Sequence, residues 1–375
     1  MSVVVNKGLK LRIFPDDDMA HVLEQNMGNA RFIWNNMLSM YVNLYMLFKF
    51  HGCPLYPNIR NFNAMLKILK QENVFLREGE STSQQQVFRD LVNAFNIFFK
   101  EGSGYPKFKS KKNPKQSFRI QKNGNNIIIT NRRIRLAKLG FVHYRTSTQY
   151  KKLLKNSKIN NITVKRENGK YYAIVNIKST VKKIEKTGKN IGIDLGLKNL
   201  ATLSNGQKIT NFDLKKEETM IKKYQKKLKR KKYMSKNYKK TLKKYYKWQD
   251  KKNNKIKNAY HQISKNIVTK YDIIAIEDLN IKGMFKNKKW APKLQKISLY
   301  KLVNMLKYKS QWYGKTFIQI DRFYPSTKTC NKCGYKNNNI NLNIREWTCP
   351  LCSTHHQRDI NAAINILNEA IKSNS

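Results

Sequence analysis

Acidic residues are scarce in this chain of 375 residues: 23 Asp and Glu stand against 76 Lys and Arg, a formal net charge of +53. A compact chain with that balance repels itself and attracts polyanions, which argues against a metabolic enzyme with a small-molecule substrate. AT-rich coding does not explain the imbalance, because Glu codons are AT-rich as well. Long apolar runs are also missing, and none approaches the roughly 18 residues that span a membrane. The stretch from Met1 to Pro15 lacks the apolar core and small-residue cleavage site of a signal peptide. Cysteine is sparse, with five residues, four of them spaced for metal rather than for disulfides. A cytoplasmic protein is expected, nucleoid-associated in a prokaryote. Disorder fits poorly, since 40% hydrophobic and 11% aromatic residues can support packed cores.

What is present divides the chain. Val3 to Phe14 alternates like a strand, Pro15 stops it, and Asp16-Asp17-Asp18 caps a helix that runs on with Val22, Leu23, Met27, Ala30, Ile33, Trp34 and Met37. Further helices are expected around Asn61 to Gln71 and from Thr82-Ser83 onward. After Gly102-Ser103-Gly104-Tyr105-Pro106, short alternating segments follow at Ser117–Ile120, Asn126–Thr130, Ile134–Leu136, Ile162–Arg166 and Tyr171–Ile177. They predict a small β-barrel or sandwich. The helices are then either an insertion after its first strand or a domain of their own. Beyond a linker near 182–189, the segment Asn190 to Gly196 and a hairpin through Gln207–Thr210 lead into a Lys-rich helical region at 214–270 interleaved with Tyr and Trp. Such a run is commonly a solvated helix face; basic residues spaced with aromatics favour a nucleic-acid track. Tyr271 to Leu279 has the form of a buried strand ending in acids, so an α/β sheet is expected in this half.

Two constellations carry chemistry. Cys330-x2-Cys333 and Cys349-x2-Cys352 match a four-thiolate zinc ribbon, whose closed tetrahedron implies one structural Zn²⁺. Cys53 reads as a lone packing residue, and His355 and His356 as surface or nucleic-acid contacts rather than ligands. Asp194 follows an apolar Ile-Gly-Ile, Glu277 follows Ile-Ile-Ala-Ile, and Asp359 opens a helix. One such acid alone would be taken for a cap or an ion-pair partner. Three can converge at one sheet edge, where their repulsion calls for divalent cations between them, as in a two-metal phosphodiesterase site. Asp278 is expected to support them from the opposite side of its strand.

The segments Gly192-Ile193-Asp194-Leu195-Gly196-Leu197-Lys198, Ile276-Glu277-Asp278-Leu279, Pro325 to Gly334 and Arg358-Asp359-Ile360-Asn361-Ala362-Ala363 resemble the TnpB family, transposon-encoded RNA-guided DNA endonucleases related to type V CRISPR effectors. Leu11 to Pro15, Asn29 to Asn35, Gln85-Gln86, Ala94-Phe95-x2-Phe98-Phe99 and Tyr105 to Lys111 extend the resemblance to the whole length. It implies a multidomain α+β and α/β fold. Residues 1–186 would form a wedge β-barrel with a helical recognition insert at about 17–105. Residues 187–375 would form an RNase H-like (RuvC) nuclease containing the helical segment at about 214–270 and the zinc ribbon at about 326–354. It implies the triad Asp194, Glu277 and Asp359 around two Mg²⁺ ions, with Mn²⁺ as a substitute, and Gln85 and Gln86 near a short duplex motif. Two departures stand out: Gln357 where relatives carry an acid, and Ser353 where a glycine is usual.

The expected activity is RNA-guided, metal-dependent cleavage of DNA for a transposable element. Its partners are a guide RNA and double-stranded target DNA with a short adjacent motif, and a monomer is expected, with no membrane and no small-molecule substrate. The alternatives are an idle RNA-guided DNA-binding repressor, a structural RNA-binding zinc-ribbon protein, and a conventional strand-joining transposase. The first should have lost a triad acid, and the second leaves three carboxylates unexplained.

Overall fold

The computed structural model describes residues 2–52, 57–102, 104–284, 286, 291, 298–340 and 344–374; Cys53 lies outside them. The chain forms two compact units, Val4–Thr180, and Val181–Ser375 together with Met1–Val3. Each is described by itself.

The first unit opens with strand β1 (Ser2–Phe14), whose alternation buries Leu9, Leu11 and Ile13. Asp16 caps helix α1 (Asp17–Phe50), accepting from the Met19 N–H at 2.8 Å. The buried stripe of α1 (Leu23, Met27, Ala30, Ile33, Trp34, Met37, Leu38, Tyr41) recurs every three or four residues. Helices α2 (Ile59–Glu72), α3 (Phe75–Glu78) and α4 (Ser81–Glu101) follow. The cap of α4 is Glu80, whose carboxylate accepts from the Thr82 and Ser83 N–H groups, one position ahead of Ser81. Strands β2 (Lys115–Gln121), β3 (Ile127–Ile129), β4 (Arg133–Leu136), β5 (Gly140–Arg145), β6 (Lys158–Glu167) and β7 (Lys170–Lys182) join β1 in one sheet of order β2-β6-β7-β1-β5-β4-β3. Since β1 sits between β7 and β5, the four helices interrupt the sheet after its first strand. Helix and strand side chains share one core, from Tyr41, Phe62 and Phe95 to Phe118, Ile162 and Val175.

Two elements here escape the sequence pattern. Phe141 in β5 is half exposed, which spoils the alternation of Val142 and Tyr144. Helix α5 (Thr148–Lys155), capped by Ser147, buries Leu154 alone, too little for a periodicity to register.

The second unit is a five-stranded sheet of order β10-β9-β8-β11-β12, from β8 (Asn190–Leu195), β9 (Asn199–Leu203), β10 (Lys208–Thr210), β11 (Ile273–Glu277) and β12 (Thr316–Ile320). β8 runs antiparallel to β9 and parallel to β11, and β11 is parallel to β12. Between β10 and β11 the Lys-rich region forms two helices, α6 (Lys215–Lys229) and α7 (Lys236–Lys270). After β11 come α8 (Ile281–Met284) and α9 (Leu299–Tyr313); after β12 come the short strands β13 (Glu346–Thr348) and β14 (His355–Gln357), then α10 (Arg358–Lys372). One sheet face packs Ile191, Ile193, Ile274 and Ile276 against Tyr260, Ile267 and Val268 of α7 and Leu302 and Leu306 of α9. The other packs Ala275 and Ile320 against Ile366 and Ala370 of α10.

Candidate active site

The period of two in β8 and β11 determines which residues can meet. Ile193 pairs in register with Ile276, and Gly192 with Ala275. The isoleucines face α7 and α9, so Gly192 and Asp194, Ala275 and Glu277 face the side on which α10 lies. Asp194 and Glu277 are the residues one step beyond the Ile193–Ile276 pair, hence neighbours on adjacent parallel strands. Small residues let α10 down onto this surface. A Cβ on Gly192 would fall on the Ala363 carbonyl oxygen and meet Leu367 at 2.9 Å, so glycine is required for the close approach. Ala362 and Ala363 supply the matching flat side of the helix and are fully buried.

Asp359 stands in the first turn of α10, one turn before Ala363. Its carboxylate accepts from Arg345 at 3.1 and 3.2 Å and from Arg358 at 3.0 and 3.2 Å. Burial first, then the charges of Asp359 and Glu277, push the Asp194 carboxyl up to about 7, against the pull of Arg358 and Arg345. Glu277 is also raised, by burial and by Asp278. Three acids from distant parts of the sequence therefore act in one field. Asp194 and Asp359 line a cleft of about 910 Å³ together with Lys198, Lys328, Arg345 and Arg358. Glu277 lines a second cleft of about 720 Å³ with Asp278, Lys307 and Arg322. Asp278 follows the last residue of β11, lines the same cleft as Glu277, and pairs with Arg322 at 2.5 Å. An acidic floor under a basic rim suits a phosphodiester chain, and hard carboxylate oxygens suit Mg²⁺ or Mn²⁺.

The four cysteines gather their sulfurs within 4.8 Å of one another. Cys330 lies 3.6 Å from Cys352, and Cys333 lies 3.6 Å from Cys349. Tetrahedral zinc with bonds near 2.3 Å would set its sulfurs about 3.8 Å apart, so the donor set fits one Zn²⁺. Among the described residues no other group of three or more His, Cys, Asp or Glu is gathered in this way. The two knuckles share one plan: Gly334 N–H donates to the Cys330 carbonyl and Ser353 N–H to the Cys349 carbonyl, and both residues are left-handed, with φ of 80° and 52°. The Thr354 hydroxyl and N–H pull the Cys352 thiol down to about 6.

One expectation is corrected here. His356 is not a surface residue: it is buried, its ring lies on Trp347, and its Nε2 is 3.0 Å from Cys330 Sγ. It packs beside the four-sulfur group against Cys330, whereas His355 is exposed as expected. Gln85 is exposed on α4, and Gln86 donates to Asp90 at 3.2 Å. Other residues that the sequence pattern did not single out hold the site. Asn365 donates to the carbonyls of Ser326 (2.8 Å) and Thr329 (2.6 Å), and Asn361 donates to Thr329 (2.7 Å) and accepts from the Asn331 N–H (3.0 Å). These bonds tie α10, and with it Asp359, to the cysteine knuckle. Two asparagines four apart on a largely apolar helix face were the available signal.

Comparison with known proteins places the chain. A family model described as "Probable transposase" (OrfB of IS605) matches residues 161–288, and one described as "Cas12f1-like, TNB domain" matches residues 300–366. A third, "Helix-turn-helix domain", matches residues 1–46, which here are strand β1 and most of the single helix α1. A "Putative RNA-guided DNA endonuclease" of Streptomyces pristinaespiralis is 31% identical over 368 residues, covering 97% of this chain and 89% of that one. The "Putative RNA-guided DNA endonuclease InsQ" of Escherichia coli K12 is 28% identical over 315 residues, covering 79% and 76%. Among solved structures, a chain of the Cas12f1–sgRNA–target DNA complex matches with a TM-score of 0.60 at 16% identity, covering 97% of this chain and 99% of that one; that likeness concerns the fold.

Proposed function

Since this chain belongs to the TnpB (IS605 OrfB) family, we propose that it is the RNA-guided DNA endonuclease of a transposable element, acting in the cytoplasm. Its partners are a guide RNA and a double-stranded DNA target flanked by a short motif. In this reading residues 1–186 are a wedge β-barrel carrying the recognition helices, and Gln85 and Gln86 lie against the target DNA. Residues 187–375 are a RuvC-like nuclease of the RNase H type, with the zinc ribbon at about 326–354.

Asp194, Glu277 and Asp359 are the catalytic acids and would hold the divalent cations; Cys330, Cys333, Cys349 and Cys352 would hold the structural zinc. Bound Mg²⁺ would supply an activated water and charge stabilisation for the leaving 3′ oxygen. The chain's own groups do the positioning. Lys198 and Lys328 at the cleft rim draw in the phosphodiester strand, and Arg345 and Arg358 balance the carboxylate charge until the strand arrives. The observation that carries the reading is that Asp194, Glu277 and Asp359, from separate parts of the chain, share one field, with Asp194 and Glu277 one step beyond the paired Ile193 and Ile276 on adjacent strands. With guide RNA and Mg²⁺ supplied, the parent is expected to linearise a plasmid bearing the matched target, and Asp194→Ala is expected to leave it intact. Equal cleavage by both would falsify the assignment.

A further inference from the structure

The α6–α7 hairpin divides sharply along its length. At its base the charges are compensated: Lys252 pairs with Glu218 at 3.1 Å, Lys255 pairs with Glu217 at 3.6 Å, and Lys255 also donates to the Asp213 carbonyl at 2.5 Å. Beyond that, residues 222–249 contain fourteen Lys and Arg and no acid. Nor does this stretch have a core of its own: between Ile221 and Ile256 only Thr241 is buried. Apolar burial does not hold such a hairpin together, and its lysines repel one another.

Tyrosines cluster at the tip. Tyr233 in the turn meets Tyr238 edge to face at 5.3 Å, and Tyr245 meets Tyr246 at 5.6 Å. Burial, then Tyr238, Tyr245 and Tyr233, push the Tyr246 hydroxyl above its ordinary value, so the four phenols share one neighbourhood. Tyr233 nonetheless leaves 67% of its surface in solvent, and Met234 beside it is left-handed at φ 64° and 54% exposed. The turn is set by Ser235, which caps α7 by accepting from the Tyr238 N–H at 3.1 Å. Lys251 lies over the Trp248 ring at 4.5 Å.

We propose that this tip is a stacking platform for unpaired bases of RNA, with Tyr233 and Tyr238 against base faces and the surrounding lysines against phosphates. The inference rests on the guide-RNA reading above. A duplex hides its base faces and asks only for charge, which leaves the outward-turned ring without a purpose; unpaired bases use both features. RNA rather than displaced DNA follows from permanence. A tip without acids needs its neutralising partner throughout the life of the fold, and the guide is the resident polyanion.

The test is fluorescence anisotropy of a labelled oligouridylate with the full-length protein, over a range of salt. Tyr233→Leu with Tyr238→Leu is expected to weaken binding at least about 5- to 160-fold, the range of one lost stack. The salt slope and the affinity for a short DNA duplex should not change. The corresponding Phe pair should bind as the parent does. Lys239→Gln with Lys240→Gln should instead lower the slope by about 1.4, at 0.7 for each lost phosphate contact on a single strand. The single Tyr233→Leu, at an exposed position, carries the test if circular dichroism shows that the double variant loses helix. The proposal is overturned if the Leu variants bind oligouridylate as the parent does, or if they lose duplex binding equally. It is also overturned if oligothymidylate binds as tightly as oligouridylate and responds alike, since DNA is then the occupant. Guided cleavage by the parent stands apart from all of these: a parent that cleaves while its tyrosines prove indifferent loses only the platform.

Discussion

At the scale of single residues, two of the chain's few acids, Asp194 and Glu277, sit where ionisation is opposed. Asp194 titrates near 7 instead of the ordinary 3.8, because burial and two neighbouring carboxylates oppose its charge. The fold therefore prefers the protonated form. That stability is complete below about pH 4 and is lost as pH rises through 7, on the order of 2–4 kcal/mol from this group. Asp194→Asn is expected to raise the melting temperature of the metal-free protein at pH 8 and to change it little at pH 4, as scanning calorimetry at the two pH values would show. An equal effect at both would remove the electrostatic explanation. Ser353 carries an opposite kind of cost. It adopts the left-handed backbone that Gly334 adopts at the matching place in the other knuckle, and a side chain there costs about 1 kcal/mol. Ser353→Gly should stabilise the ribbon by about that amount, read as slower release of zinc to a chelator; faster release would contradict it. The knuckle cysteines were plain in the sequence because a motif is local. The role of His356 was not, since Trp347 and Cys330, which surround it, are 9 and 26 positions away.

Between elements, the decisive contact is that of α10 on β8. Gly192 and Ala275 form a flat patch in register, and α10 presses on it through Ala363, which sets how closely the helix that carries Asp359 approaches the sheet. Gly192→Ala must lift the helix or displace the strand. It should destabilise the second unit by about 1–3 kcal/mol and cut guided cleavage at least tenfold. Guide-RNA binding, which draws on basic surfaces elsewhere, should survive in a gel-shift assay. Retained cleavage would show that the acids tolerate more play than this packing implies. The apolar periods of β1, α1 and β11 were legible because each buries one regular face. The split of the Lys-rich region into α6 and α7 was not, since its polar composition continues through the turn at Ser235. Helix α4 starts at Ser81, just ahead of the expected Thr82-Ser83, because the Glu80 carboxylate caps it by accepting from the Thr82 and Ser83 N–H groups.

For the whole molecule, the excess of +53 is a load that the protein alone carries poorly. Binding of guide RNA should raise the melting temperature, by about 3 °C or more at low salt with RNA at a hundred times its Kd. An unchanged melting temperature under those conditions would mean that the charge is not a stability problem that RNA relieves. Composition alone pointed to a polyanion, because net charge is a sum and needs no coordinates. Local patterns likewise determined the cysteine knuckles, the strands that carry Asp194 and Glu277 at or near their ends, and the helix that Asp359 opens. Tertiary structure decided what no local pattern contains. It brought the three acids into one field, turned Arg345 and Arg358 toward Asp359, fastened α10 to the cysteine knuckle through Asn361 and Asn365, and seated His356 against Cys330. Each of these depends on distances between segments far apart in the chain, and only the packing of a folded sheet against its helices sets them.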